Sequence, residues 1–255
     1  MTDYIHKLLE KDNRLDGRKL EQYRDGISVE YGVSKTADGS ALVTIGETKV
    51  MAGVKMELGT PYPDSPDQGT LMVNVELLPL SSPKFEPGPP SIQAIELARV
   101  IDRGIRESHS IDFKKLCVTE GEKAWTVIVD ICPINDAGNL FDIGALATIA
   151  AIRDARLPAL KDGIVDFKTK TDETLPLTKV PLSCTVLKIG DKFIVDPLNA
   201  EEKVADSRLT VATTEKDEIC ALQKGNATAL TIDDVDKMVN LAIEKTRELR
   251  KYLGD

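Results

Sequence analysis

Trp125-Thr-Val-Ile-Val-Asp-Ile-Cys132, followed by Pro133-Ile-Asn-Asp-Ala-Gly-Asn-Leu-Phe141 and Asp142-Ile-Gly-Ala-Leu-Ala-Thr-Ile-Ala-Ala-Ile152, is the stretch that decides the fold. The first part is a run of β-branched and apolar residues, the pattern of a buried strand. The second is turn material, with Asn135, Asp136, Gly138 and Asn139 suited to tight backbone conformations. In the third, Asp142 is placed to cap a helix whose Ile143, Leu146, Ile149, Ala150 and Ile152 recur at helical spacing. A strand thus delivers a loop onto a helix N-terminus, where free N–H groups and the helix dipole favour an anion. A plain strand–turn–helix connection has the same pattern, and spacing alone leaves both readings open.

The chain has 255 residues, enough for one large domain or two modest ones with a sizeable core. Apolar residues make up 42% and charged residues 29%, the balance of an ordinary soluble protein. No apolar run reaches membrane-spanning length, so no membrane association is expected. The charged N-terminus does not read as a signal peptide, and the expected compartment is the cytoplasm. Cys117, Cys132, Cys184 and Cys220 form no C-x-x-C pair and lie in or beside apolar runs, which favours buried thiols over disulfides or zinc. His6 and His109 stand alone, and no nucleotide, metalloprotease or serine-hydrolase motif is present; neither metal nor cofactor is expected. A net charge of −9 argues against a broadly basic nucleic-acid surface while leaving room for a local patch.

Outward from the central stretch, residues 3–12 read as an amphipathic helix followed by the charged turn Arg14-Leu-Asp-Gly-Arg18. Ile27–Tyr31 and Ala41–Ile45 read as strands joined by a hairpin turn at Ala37-Asp-Gly-Ser40. Lys49–Lys55 and Thr70–Leu80 are further strands, separated by a loop at 59–69. Pro83–Pro90 is a second proline-rich break. Ser91–Ser108 is a helix with Ala94, Leu97, Ala98, Ile101 and Ile105 in one stripe. Arg99, Arg103 and Arg106 share its opposite face. Arginine suits bidentate phosphate contact, but a solvated face with Asp102 paired to Arg106 fits the same spacing. Residues 158–180 are polar and read as a loop or linker that holds at most a short extended segment. Leu182–Ile189 and Lys192–Val195 form a hairpin; Leu209–Thr214 and Glu218–Leu222 are strands; Thr231-Ile-Asp-Asp234 opens a last helix. Strands come in runs followed by helices, which indicates an α+β protein of two sheet-and-helix halves. The expected divisions are an N-terminal helix and lead-in at 1–30, a first half at 31–165, a linker at 166–188 and a second half at 189–255.

Asn13-Arg-Leu-Asp-Gly-Arg18, Asp38-Gly-Ser-Ala-Leu-Val-Thr-Ile-Gly-Glu-Thr-Lys-Val-Met-Ala-Gly53 and Glu96-Leu-Ala-Arg-Val-Ile-Asp-Arg103 resemble the RNase PH-like subunits of the archaeal exosome. Within that family the chain is most similar to the non-catalytic subunit. The resemblance implies an RNase PH-like fold and a heterohexameric ring with a catalytic RNase PH-like partner, three copies of each. It also implies RNA-binding cap proteins as partners and single-stranded RNA as substrate. The family reaction is phosphorolysis, in which inorganic phosphate attacks the last phosphodiester at an RNA 3′ end. Two anions must meet, so cationic and N–H donors are needed around the phosphate. Catalytic members carry a Gly-Gly-Thr-Arg type loop; the matching positions here are Ala137, Gly138, Asn139 and Leu140. Leucine supplies neither charge nor donor. Catalytic members also have an acidic cluster, where Glu202 takes the place of the catalytic aspartate, with Asp206 as an alternative, and Arg208 replaces a second acid. Gly138, Asn139 and Leu140 therefore resemble a degenerate phosphate loop, and Glu202 and Arg208 a degenerate acidic site, with no catalytic residue. Arg99, Arg103 and Arg106 fall where the non-catalytic subunit reaches RNA near the partner's active site. The competing expectations are an active phosphorolytic 3′–5′ ribonuclease or nucleotidyltransferase, which Leu140 and Arg208 oppose, and a small-molecule enzyme on a similar fold.

Overall fold

A computed structural model describes residues 2–161 and 164–254. The expectations for Met1, Asp162, Gly163 and Asp255 lie outside it. Apolar alternation and β-branched residues build one sheet from the first half of the chain. In order, α1 (Thr2–Leu9) is followed by β1 (Ser28–Tyr31), β2 (Gly39–Ile45), β3 (Thr48–Gly59), β4 (Thr70–Val75), α2 (Ile92–Glu107), β5 (Cys117–Thr119) and β6 (Lys123–Asn135). These strands lie in the order β1-β2-β3-β6-β4, with β5 against β6, and only the β4–β6 pair is parallel. Then come α3 (Leu140–Asp154) and a hairpin of β7 (Arg156–Lys161) and β8 (Ile164–Thr174). β9 (Leu182–Ile189), β10 (Lys192–Val195), α4 (Asn199–Glu202), β11 (Ser207–Thr213), β12 (Ile219–Gly225) and α5 (Ile232–Arg250) complete the order. The second sheet is antiparallel, in the order β10-β9-β11-β12.

α3 lies between the two sheets. It packs against β2 and β3 on one side and β9 on the other. Its residues from Asp142 to Ile152 are all buried, so the strict one-sided periodicity expected of a surface helix is absent. α2 runs beside it, against β4 and β12, and α5 covers β9 and β11 from the opposite face of the second sheet. Ser91 caps α2 by accepting the Ala94 N–H, and Thr231 with Asp234 forms the expected capping box on α5. Ala94, Leu97, Ile101 and Ile105 are buried on α2 as expected, together with Val100 and Gly104, while Ala98 is half-buried.

Several sequence expectations are corrected by packing. Residues 158–180 hold more strand than the short extended segment expected: among the described residues, β7 and β8 pair with each other as far as Thr174 and with neither of the two larger sheets. Residues 166–188, expected as a linker, hold the second arm of that hairpin and nearly all of β9, a central strand of the second sheet. Ala37–Ser40 is no exposed hairpin turn, since all four residues are buried. A Cβ on Gly39 would lie 2.4 Å from Ala155 Cα, so only glycine lets this strand approach the end of α3. β4 stops at Val75 rather than Leu80, whose side chain is 71% exposed. β6 runs on through Pro133 to Asn135; the register against β3 slips between Val50 and Lys49, an interruption where a residue without N–H is tolerated. α1 ends at Leu9, its Ile5 and Leu9 buried against the β9–β10 end of the second sheet. Of the four thiols only Cys184 is fully buried; the other three are half-buried, and all are free.

Leu146 is 0% exposed at the centre of α3. Leu146→Ala is expected to lower unfolding stability by about 3 kcal/mol, the middle of the range for a buried leucine that leaves a cavity. Urea denaturation checks it; a loss below about 1 kcal/mol would mean the two sheets close around the gap.

Candidate functional site

The loop between β6 and α3 is Asp136-Ala-Gly-Asn139. Gly138 has φ +104°, and a Cβ there would lie 2.3 Å from the Pro197 carbonyl oxygen, so the loop presses directly on the 197–199 backbone. Asn139 is left-handed (φ 63°, ψ 41°) and occupies the N-cap position without a side-chain capping bond. Its backbone N–H donates instead to Glu202 Oε1 at 2.8 Å, and its Nδ2 to Asp196 Oδ1 at 2.9 Å. Asp136 Oδ1 accepts the Gly138 N–H at 3.0 Å, while its Oδ2 pairs with Lys84 Nζ at 2.7 Å.

Asp142 does not cap α3, contrary to the sequence expectation. It is the third helical residue, fully buried, and Oδ1 accepts the Thr185 N–H of β9 at 2.7 Å while Oδ2 faces the Tyr23 hydroxyl at 3.4 Å. Its carboxyl is used to join the helix to the second sheet. Burial pushes it up to about 8, against the opposing hydrogen bonds from Thr185 and Asn139.

Beneath the loop lies a carboxylate cluster that no local pattern announced. Asp196 is 0% exposed. Arg24 donates to it three times: N and Nε to Oδ2 at 2.7 and 2.9 Å, and Nη2 to Oδ1 at 2.7 Å. Arg18 Nη1 adds a further bond at 2.9 Å. Burial alone would raise this carboxyl, but the hydrogen bonds and charge of Arg24 hold it below the usual aspartate range. Arg24 also donates to the Ala137 and Gly138 carbonyls at 3.0 and 3.1 Å, which pins the loop from below. Arg14 Nε donates to Glu201 Oε1 at 3.0 Å, and its Nη1 and Nη2 to the Val195 and Asp196 carbonyls at 2.7 and 2.8 Å.

Above the loop is a cavity of about 220 Å³ whose lining includes Gln93, Glu96, Asn139, Phe141, Glu202 and Arg208. The residues read from the sequence as two degenerate motifs therefore meet in one place. Leu140, 5% exposed, contributes an apolar wall. Burial raises the Glu202 carboxyl, against the Asn139 N–H it accepts. Arg208 lies 4.1 Å over the Phe141 ring and pairs with Glu96 of α2. Its Nε and Asn139 Oδ1 are buried without a partner among the described residues. Asp206, the alternative to Glu202, accepts the Gly190 N–H at 2.7 Å and is not part of the cavity wall. Glu96, Phe141 and Gln93 were missed as cavity residues; Glu96 sits one helical turn before Arg99, which is the signal that could have found it.

Arg99, Arg103 and Arg106 are all exposed on α2, as expected. Their electrostatic situations differ. Arg106 is clamped by Asp102 through Nη2 and Nε at 2.8 and 3.1 Å, and its Nη2 also reaches the Leu71 carbonyl at 3.0 Å. Arg103 Nη1 donates to Gln223 Oε1 of β12 at 3.1 Å. Arg99 makes no hydrogen bond or ion pair among the described residues. Only Arg99 and Arg103 thus keep a charge that no carboxylate offsets. Among the described residues there is also no cluster of metal-ligating side chains and no helix long and apolar enough to cross a membrane.

Residues 22–158 match the model of the 3′ exoribonuclease family, domain 1, and residues 179–245 match that family's domain 2. The chain is 45% identical over 251 residues to the exosome complex component Rrp42 of Methanothermobacter thermautotrophicus, covering 98% of this chain and 92% of that one. It is 45% identical over 249 residues to Rrp42 of Archaeoglobus fulgidus, covering 98% and 94%. Among solved structures it resembles a chain of the Archaeoglobus fulgidus exosome with RNA bound to the active site, at 44% identity and TM-score 0.91, over 98% of this chain and 96% of that one. Rice Rrp46, at 19% identity and TM-score 0.71, covering 94% and 97%, shares the fold. The chain belongs to the 3′ exoribonuclease family.

The raised Asp142 carboxyl has a pH signature. In the fold it stays neutral up to about pH 8, whereas in the unfolded chain it ionises near the ordinary aspartate value of 3.8. Its contribution to stability is therefore fully present below about pH 4 and is lost as pH rises toward about 8. Asp142→Asn, which keeps the acceptor for Thr185 N–H, is expected to gain stability relative to the parent as pH rises across that window. Denaturation midpoints at several pH values check this; a constant difference between the two proteins would place the Asp142 carboxyl in its ordinary range.

Proposed function

We propose that this member of the RNase PH family is a non-catalytic component of an archaeal exosome, a 3′–5′ exoribonuclease complex that degrades RNA by phosphorolysis. The observation that carries the proposal is the bond from Asn139 N–H to Glu202 Oε1 at 2.8 Å, beside Leu140. A phosphorolytic site must offer its helix N-terminus to inorganic phosphate. Here that N–H is already taken by the chain's own carboxylate, whose charge would repel a phosphate. Leu140 adds no donor, and Arg208, a nearby cation, is paired with Glu96. The loop has the backbone of a phosphate cradle without a vacancy for the ion. An active phosphorylase in its own right is the second reading, and the same three features oppose it.

In this reading the chain contributes to RNA handling through α2. Arg99 and Arg103 hold backbone phosphates of single-stranded RNA on its way to the catalytic partner's site, positioning the strand without reading its bases. Arg106 is subordinate, because Asp102 offsets its charge. The partner is a catalytic RNase PH-like subunit, alternating with this chain in a ring of three copies of each, to which RNA-binding cap proteins attach. The proposed compartment is the cytoplasm.

The test is an exchange assay with oligoribonucleotide and inorganic phosphate, using this chain alone, its partner alone, and both together. The chain alone is expected to release no nucleoside diphosphate, and the mixture to elute as one hexameric species with activity above that of the partner. Robust release by chain shown free of partner would overturn the assignment. Leu140→Arg is expected to stay inactive, because Glu202 still occupies the Asn139 N–H; recovery of phosphorolysis by that one substitution would contradict the blocked-cradle argument. In the assembled ring, Arg99→Ala with Arg103→Ala is expected to weaken RNA binding and to reduce the salt slope by roughly 0.7 per lost contact. An intact ring with unchanged affinity and slope would reduce this face to solvated surface.

A further inference from the structure

The structure assigns Gln223 as the residue that positions Arg103 for RNA, an assignment that rests on the RNA-contact reading of α2 and extends it to the second half of the chain. Gln223 Oε1 accepts Arg103 Nη1 at 3.1 Å across 120 residues of sequence. Its place is fixed by the sheet. Gln223 pairs with Thr210 in the β11–β12 register, and Thr210 pairs with Thr185 in the β9–β11 register. The Thr185 and Thr210 hydroxyls are hydrogen-bonded at 3.0 Å, and Thr185 N–H donates to Asp142 at the start of α3. One cross-strand row therefore runs from the blocked loop's helix to the exposed guanidinium on α2.

The chemistry of the acceptor is what makes this a positioning contact rather than an ordinary surface pair. A carboxylate partner orients an arginine but offsets its charge, as Asp102 does for Arg106 and Glu96 for Arg208. A neutral amide oxygen orients the guanidinium through one N–H and leaves its full charge and remaining donors to a phosphate. A long side chain that must be immobilised on binding loses rotamer freedom, so one held beforehand binds more tightly. Arg103 is held this way; Arg99, one helical turn away, is not.

Two substitutions separate orientation from charge. Gln223→Met keeps the length and removes the acceptor; Gln223→Glu keeps the acceptor and adds a negative charge. RNA affinity of the assembled complex is measured across a salt series, with Arg103→Ala as reference and ring integrity followed by sizing. Gln223→Met is expected to weaken binding by about threefold, within the range of one ordering hydrogen bond, with the salt slope unchanged. Gln223→Glu is expected to weaken it further and to lower the slope by roughly 0.7, as Arg103→Ala does. If Arg103→Ala weakens binding while both Gln223 variants bind like the parent, the positioning role is wrong and the RNA reading stands. If Arg103→Ala itself changes neither affinity nor slope, the RNA reading of this face fails and the role of Gln223 fails with it.

Discussion

A buried carboxylate sets the terms for this molecule. Asp196 is fully enclosed, and an ion in that position costs several kcal/mol unless its partners are well placed. The partners come from far along the chain: Arg18 and Arg24 in the lead-in, and Asn139 at the start of α3. Satisfying one charge therefore fixes three segments at once. The lead-in is drawn across the end of the second sheet, the β6–α3 loop is held from below through its Ala137 and Gly138 carbonyls, and the 196–202 turn is pressed against Gly138. The turn then delivers Glu202 to the Asn139 N–H. The fold and the Asn139–Glu202 bond are two consequences of the same pairing.

The helix α2 carries a charged face that the cavity and the arginines share. Along one face it presents Glu96, Arg99, Arg103 and Arg106, three or four residues apart. Glu96 belongs to the cavity wall, where it ties up Arg208; a turn later the face becomes cationic. What distinguishes the arginines is not their exposure, which they share, but what accepts their hydrogen bonds. Arg106 is offset by a carboxylate, Arg103 is steered by an amide, and Arg99 has no hydrogen-bond or ion-pair partner among the described residues, so a simple count of positive residues would misjudge the patch. With a net charge of −9 overall, a short uncompensated pair is the kind of local feature that holds a phosphate backbone without making the whole surface adhesive to nucleic acid.

Much of this was legible in the sequence, and the boundary follows the range of the interactions. Local periodicity marked the central strand, the helices at 91–108 and 231 onward, and the two-half α+β arrangement. The Ala137–Leu140 and Glu202–Arg208 motifs, read separately, converge on one cavity. What escaped were features set by partners distant in sequence. Asp142 reads as a cap because its neighbours are turn residues, yet its acceptor is used by Thr185, 43 residues on. The polar 158–180 segment reads as a loop or linker because alternation is lost in the β7–β8 hairpin, which joins neither larger sheet. The pairs Arg14–Glu201, Arg24–Asp196 and Arg208–Glu96 leave no periodic trace, being joined only when the two halves close on α3.

In the proposed reading, the helix N-terminus that would receive phosphate is already filled from within by Glu202. Titration of inorganic phosphate into the isotopically labelled chain, followed at the backbone amides of Gly138, Asn139 and Leu140, tests it most directly. The expected result is that these amide signals do not move at phosphate concentrations that saturate a catalytic relative. Saturable shifts confined to these three amides would show an open anion site and contradict the account.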